Sequence, residues 1–129
     1  MIEDHDILGA VEQVLDVPIV YLFGSMAKGN ANDQSDIDIA ILPLQTFDPY
    51  ELYEAREEIA EKLHRDTDLV DLSSASPIIA MQVVRHGRLL KNQNNRLLMC
   101  WIVKTIHMYD DLKRVRRPIE EALARKVLR

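Results

Sequence analysis

Asp36 and Asp38 stand ten residues beyond a Gly24-Ser25 pair, and these four residues carry most of the chemical information in the chain. Side chains two apart on a strand share a face, so an extended Asp36-Ile37-Asp38 holds two carboxylates side by side with isoleucines 37, 39 and 41 behind them. Two like charges held this way repel, and one pKa rises unless a cation lies between them. Carboxylate oxygens suit Mg²⁺, which is commonly bound by one or two carboxylates together with substrate phosphates. Gly24 lets backbone N–H groups approach phosphate oxygens, and the Ser25 hydroxyl adds a donor. Either fragment alone is commonplace: a Gly-Ser after a strand, or an Asp-x-Asp in a solvated turn. Their combination at this spacing points to a phosphate turn facing a metal-binding pair.

The surrounding pattern supplies elements to hold that pair. Ile19 to Phe23 is a continuous apolar run that reads as a buried strand, and Asp36 to Leu42 opens with strict alternation and reads as a two-faced one. A helix is expected from about Asp4 to Leu15, with Ile7, Leu8, Val11 and Leu15 at helical spacing and Pro18 beyond its end. Asp48-Pro49 has the form of a cap followed by proline at the first helical position, opening a helix to about His64. A third strand is expected over Asp68 to Leu72. Ser76-Pro77 starts a further helix, with Gly87 as its stop, and Arg88 to Leu90 suits a short edge strand. The last third repeats Leu97, Trp101, Met108, Leu112 and Val115 at helical steps until Pro118, which should break or kink the helix. Ile119, Leu123 and Val127 continue the apolar line. Such a helix either packs on its own core or serves as an interaction element.

Composition sets limits on everything else. At 129 residues, 47% apolar and 29% charged, the chain suits one soluble domain, residues 1–129, too short to add a separate acceptor domain. There is no apolar run near the length of a membrane span, and the start, Met-Ile-Glu-Asp-His-Asp, lacks the features of a secretory signal. A lone Cys100 cannot form an internal disulfide and is expected to pack as a small apolar residue, consistent with the cytoplasm. The four histidines lack the paired spacing of a zinc site. Net charge is −5, yet residues 113–129 hold seven Lys or Arg against Glu120 and Glu121. That basic segment reads as a partner surface, as weak attraction for RNA, or as a solvated helix end. No aromatic residue interleaves it, so stacking of single-stranded bases is not indicated.

Gly24-Ser25 with Asp36 and Asp38 resembles the Gly-Ser, ten residues, Asp-x-Asp motif of the DNA polymerase β-like nucleotidyltransferase superfamily. The wider string GSMAKGNANDQSDIDIAIL is similar to its minimal nucleotidyltransferase branch. The resemblance implies an α/β (α+β) fold: a small mixed sheet flanked by helices, here with a long C-terminal helix. It implies a third carboxylate at the start of a neighbouring strand, which in Asp68-Leu69-Val70-Asp71-Leu72 is Asp68. Asp71, of opposite parity, would face away from it. The family commonly has a basic residue where this chain has Met26, which leaves Lys28 as the cation of the turn.

On that resemblance Asp36, Asp38 and Asp68 would bind two Mg²⁺ ions, about 3.5–4 Å apart in sites of this kind. Gly24, Ser25 and Lys28 would hold the phosphates of ATP. Minimal members of this length resemble the antitoxin of two-gene modules whose toxin is an all-helical HEPN ribonuclease, and Val83 to Leu90 and Tyr109 to Leu112 extend the likeness. The implied activity is transfer of AMP from ATP to a tyrosine of that toxin. A non-catalytic antitoxin that acts by binding, and a nucleotidyltransferase for a small molecule or RNA, are the alternatives.

Overall fold

The computed structural model describes residues 2–29 and 35–127, the side chains of Lys28 and Val127 excepted. Its elements run α1 (Asp4–Val14), β1 (Ile19–Phe23), α2 (Gly24–Lys28), β2 (Ile37–Leu42), α3 (Pro49–Leu63), β3 (Thr67–Asp71), α4 (Pro77–His86), β4 (Arg88–Asn92) and α5 (Asn95–Val127). The helix starts follow local chemistry. Asp48 accepts the Tyr50 N–H at 3.1 Å and Ser76 accepts that of Ile79 at 3.3 Å, each just ahead of a proline in the first turn.

The strands form one sheet in the order β3-β2-β1-β4, with β1 antiparallel to β2 and β4, and β2 parallel to β3. Both faces are covered, which is why β1 and β2 are so apolar. On one face Val20, Leu22, Ile37, Ile39, Ile41 and Leu69 pack against Ile7 and Val11 of α1 and Ala55 and Ile59 of α3. On the other, Ile19, Tyr21, Ala40, Leu42 and Leu72 meet Ala80 and Val83 of α4 and Leu98 and Trp101 of α5. Trp101 donates its indole N–H to the Leu72 carbonyl at 3.3 Å, so the largest buried ring leaves no orphan donor. Among the described residues, the covering helices leave one end of this second face open. There β1 ends while β2 and β3 begin.

Four sequence expectations are corrected. The Gly24-Ser25 turn is a short helix, α2, closed by Gly29 in the left-handed conformation. Strand β2 begins at Ile37, leaving Asp36 just outside it. Pro118 neither breaks nor ends α5, which runs for 33 residues through it. Cys100 is exposed, because α5 turns Leu98 and Trp101 inward rather than the position between them. The α4 stop at Gly87 holds, but at a φ of −71° its backbone suits any residue. Glycine is required there by space, since a Cβ would stand 2.5 Å from the Val83 carbonyl oxygen and 3.0 Å from the Tyr21 ring.

Gly87→Ala should therefore destabilise the fold by about 1–3 kcal/mol, the range for overpacking a tight contact. A urea titration measures it, and an unchanged midpoint would mean that the α4 terminus yields freely.

Candidate active site

The sheet register brings the carboxylates to its open end. Asp38 is the Cα partner of Phe23 across the antiparallel β1–β2 pair and of Asp68 across the parallel β2–β3 pair. Residues paired this way point to the same face. Asp38 and Asp68 thus lie next to each other on the α4–α5 side of the sheet, and Asp36, two residues earlier, has the same parity. Five of the six β2 residues are buried, and Asp38 is the exception. It sits where an apolar face gives way to solvent. Asp36 and Asp68 are exposed.

This placement has an electrostatic consequence. Burial and the negative charges of Asp68 and Asp36, in that order of weight, hold the Asp38 carboxyl above the ordinary aspartate range. Ionising Asp38 is harder in the folded chain than in the unfolded one. An oxygen-liganded dication would relieve that cost, so the donor set fits Mg²⁺. Among the described residues, no group of three carboxylate, imidazole or thiol side chains forms a ready-made metal cage. A cation whose remaining ligands come from substrate phosphates suits such a site.

Gly24 closes over the pair. Its φ of +70° is in the left-handed region, and a Cβ there would overlap Oδ2 of Asp38. Only glycine lets the chain leave β1, pass the carboxylate and enter α2. Among the described residues no side chain caps α2, so its first-turn backbone N–H groups, Ser25 among them, suit another acceptor beside the carboxylates. The side chain of Met26, at the position where the family commonly carries a cation, packs against the cluster formed with α1 and α3. The Lys28 side chain lies outside the described residues.

Asp71 faces the other way, as parity requires, and its carboxylate is fully engaged. Oδ2 accepts the Phe47 N–H at 3.0 Å, and Oδ1 accepts the Ser73 N–H at 2.9 Å and hydroxyl at 2.6 Å. It staples the loop before α3 to the loop after β3. One contributor was not legible in the sequence: Arg65, whose guanidinium donates to the Ser35 carbonyl immediately before Asp36. With the Ile37 N–H bonded to the Asp66 carbonyl at 3.0 Å, it ties the approach to β2 against the approach to β3. A groove of about 630 Å³ beside it is lined by Asp36, Glu57, Glu61 and Arg65. A larger concavity, about 810 Å³ between α1 and the end of α3, includes none of these carboxylates. Convergent polar groups are better evidence of a site than size alone.

Comparison with known proteins agrees with this geometry. The family described as polymerase beta, nucleotidyltransferase, matches residues 6–96. Protein adenylyltransferase MntA of Shewanella oneidensis is 42% identical over 103 residues, 78% of this chain and 72% of that protein. A crystal structure of a toxin–antitoxin with AMP-PNP superposes with a TM-score of 0.84 at 34% identity, covering 95% of this chain and 99% of that one. A structure of the tri-AMPylated Shewanella oneidensis HEPN toxin in complex with MNT antitoxin gives a TM-score of 0.78 at 33% identity, covering 94% and 95%.

Because the folded-state pKa of Asp38 is raised, its contribution opposes folding as pH climbs from the ordinary aspartate range through the elevated value. In metal-free buffer at neutral pH Asp38→Asn should melt above wild type, and the difference should vanish at acid pH, where both side chains are neutral. Thermal melts across pH in a chelator test this, and a constant difference at all pH values would refute it. Asp71→Ala should instead cost about 1–3 kcal/mol by stranding the Phe47 and Ser73 donors, read from urea denaturation.

Proposed function

The chain belongs to the polymerase β nucleotidyltransferase family, and from that membership we propose that it is the antitoxin of a HEPN/MNT toxin–antitoxin module, a protein adenylyltransferase that transfers AMP from ATP to a tyrosine of its HEPN ribonuclease toxin. The observation that carries this reading is the register pairing of Asp38 with Asp68 beside Gly24. The likeness to relatives described with the toxin and with an ATP analogue supports it. We take residues 1–129 as one minimal nucleotidyltransferase domain working in the cytoplasm. No helix among the described residues is long and apolar enough to cross a membrane.

In this proposal Asp36, Asp38 and Asp68 would hold two Mg²⁺ ions together with the triphosphate. Bound there, the metal would neutralise phosphate charge and lower the pKa of the attacking hydroxyl. Backbone N–H groups at Gly24 and Ser25, with the Ser25 hydroxyl, orient the β and γ phosphates, and Lys28 adds positive charge. The tyrosine oxygen attacks the α phosphorus, and a new P–O bond forms in line with the bond that breaks. The hydroxyl proton passes to water at the exposed rim of the site, and pyrophosphate leaves. Positioning and charge stabilisation do most of the work in such a transfer. The open rim of the site, where Asp36 and Asp68 are exposed, suits an acceptor as large as a protein.

Asp36→Ala and Asp38→Ala should each lower AMP transfer by roughly 100-fold or more, while the fold is retained. The test is the intact mass of the co-expressed toxin after incubation with this protein, ATP and Mg²⁺. A mass gain confined to the protein with intact aspartates supports the reading. Neutralisation of the toxin by the variants with no mass gain would make the chain a binding antitoxin instead.

A further inference from the structure

The inner half of α5 is covered by its own domain: Leu98, Trp101 and Thr105 are buried and Leu112 is half-buried. The same alternating steps of three and four residues then continue through Val115, Ile119 and Leu123, which are 66%, 59% and 58% exposed. With Met108, these side chains form one stripe about 22 Å long at 1.5 Å per residue. The pattern that packs the helix onto the sheet therefore runs on past the sheet. On either side of the stripe lie Arg114, Arg116 and Arg117, with Arg116–Glu120 and Arg117–Glu121 pairs at 3.3 and 3.2 Å. Exposed pairs of this kind add little to stability, and a helix of this length standing alone is marginal in water.

We propose that the outer half of α5, residues 108–126, is the docking helix for the HEPN toxin, laying its apolar stripe into a groove between toxin helices rimmed by carboxylates. This rests on the adenylyltransferase reading above and adds the surface that delivers the acceptor. Two observations favour this occupant. Relatives described in toxin–antitoxin structures match over 94–95% of this chain, which leaves too few residues out to omit the outer helix. From Lys113 onward the chain also carries seven cations against two carboxylates, although its overall net charge is −5. That asymmetry selects an acidic partner and opposes pairing of two copies of the same basic helix. An RNA would use the charge but not the stripe, and no aromatic residue follows Tyr109 to stack on a base.

The test is Val115→Gln/Ile119→Gln/Leu123→Gln, in helix-compatible residues, beside Arg114→Gln/Arg117→Gln. Each is titrated with the toxin by calorimetry and assayed for AMP transfer across toxin concentrations. The triple variant should weaken toxin binding and raise the toxin KM about tenfold or more, the scale for loss of a few apolar anchors. Its kcat at saturating toxin and its KM for ATP should not change. The arginine variant should weaken binding at low salt and converge on wild type at high salt. Unchanged toxin affinity in the triple variant overturns the proposal. So does a wild-type dimer, seen by sedimentation of the antitoxin alone, that the triple variant loses, or lost binding of a single-stranded RNA with toxin affinity intact. Toxin binding without any AMP transfer by wild type would defeat the catalytic reading and leave the docking helix standing.

Discussion

The structure depends on a repulsion held in place. Asp38 and Asp68 occupy paired positions on adjacent parallel strands, with Asp36 on the same side. Like charges directly opposite one another destabilise a sheet. Here the rest of the molecule overrides that cost. Ile37, Ile39 and Ile41 anchor β2 through the opposite face, and a one-residue slip would bury the aspartates and expose the isoleucines. The hydrophobic pattern fixes the register, and the register fixes the charges. The Asp38 pKa is raised first by burial and then by the charges of Asp68 and Asp36, so repulsion is one part of it.

The same constraint divides the sheet along its length. At the end near Ile19, Leu42 and Leu72, α4 and α5 cover the second face and Trp101 closes it. At the other end the helices give way, and Gly24 brings the backbone against Asp38 where any larger residue would collide. Structural carboxylates are kept out of this region. Asp71 lies three residues from Asp68 yet spends both oxygens on the loops beneath, so strand parity alone separates a staple from a candidate ligand. Met26 shows the complementary economy, since a helix of five residues has few positions to divide between core and site, and that one goes to the core.

What was legible in the sequence follows from which signals are local. Strand parity, capping by Asp48 and Ser76 and the alternation around Asp36 and Asp38 are written within a few residues, and each matches the structure in kind. That Asp68 and Asp71 take opposite faces is legible for the same reason, because period-two alternation decides which face a residue takes. Features that depend on distant partners were not. The role of Arg65 at Ser35 spans thirty residues and leaves no pattern in either segment. Gly87 reads as a helix stop, but the need for glycine comes from the space left by the Val83 carbonyl oxygen and by the Tyr21 ring, the latter sixty-six residues away in the chain. Pro118 was overrated as a breaker. The surrounding residues favour helix strongly enough that one missing N–H does not end it.

Helix α5 shows how one pattern can serve two surroundings. A helix packed against a small sheet needs an apolar stripe only as long as the sheet, and beyond that length polar residues on all sides would cost nothing. The stripe nevertheless persists from Met108 to Leu123 with its spacing intact, while the flanks turn basic. Exposed apolar residues scattered singly need no explanation, but residues aligned on one helix face form a surface. Among the described residues, the carboxylate end of the sheet keeps Asp36 and Asp68 exposed, and the outer half of α5 keeps its stripe exposed on one line.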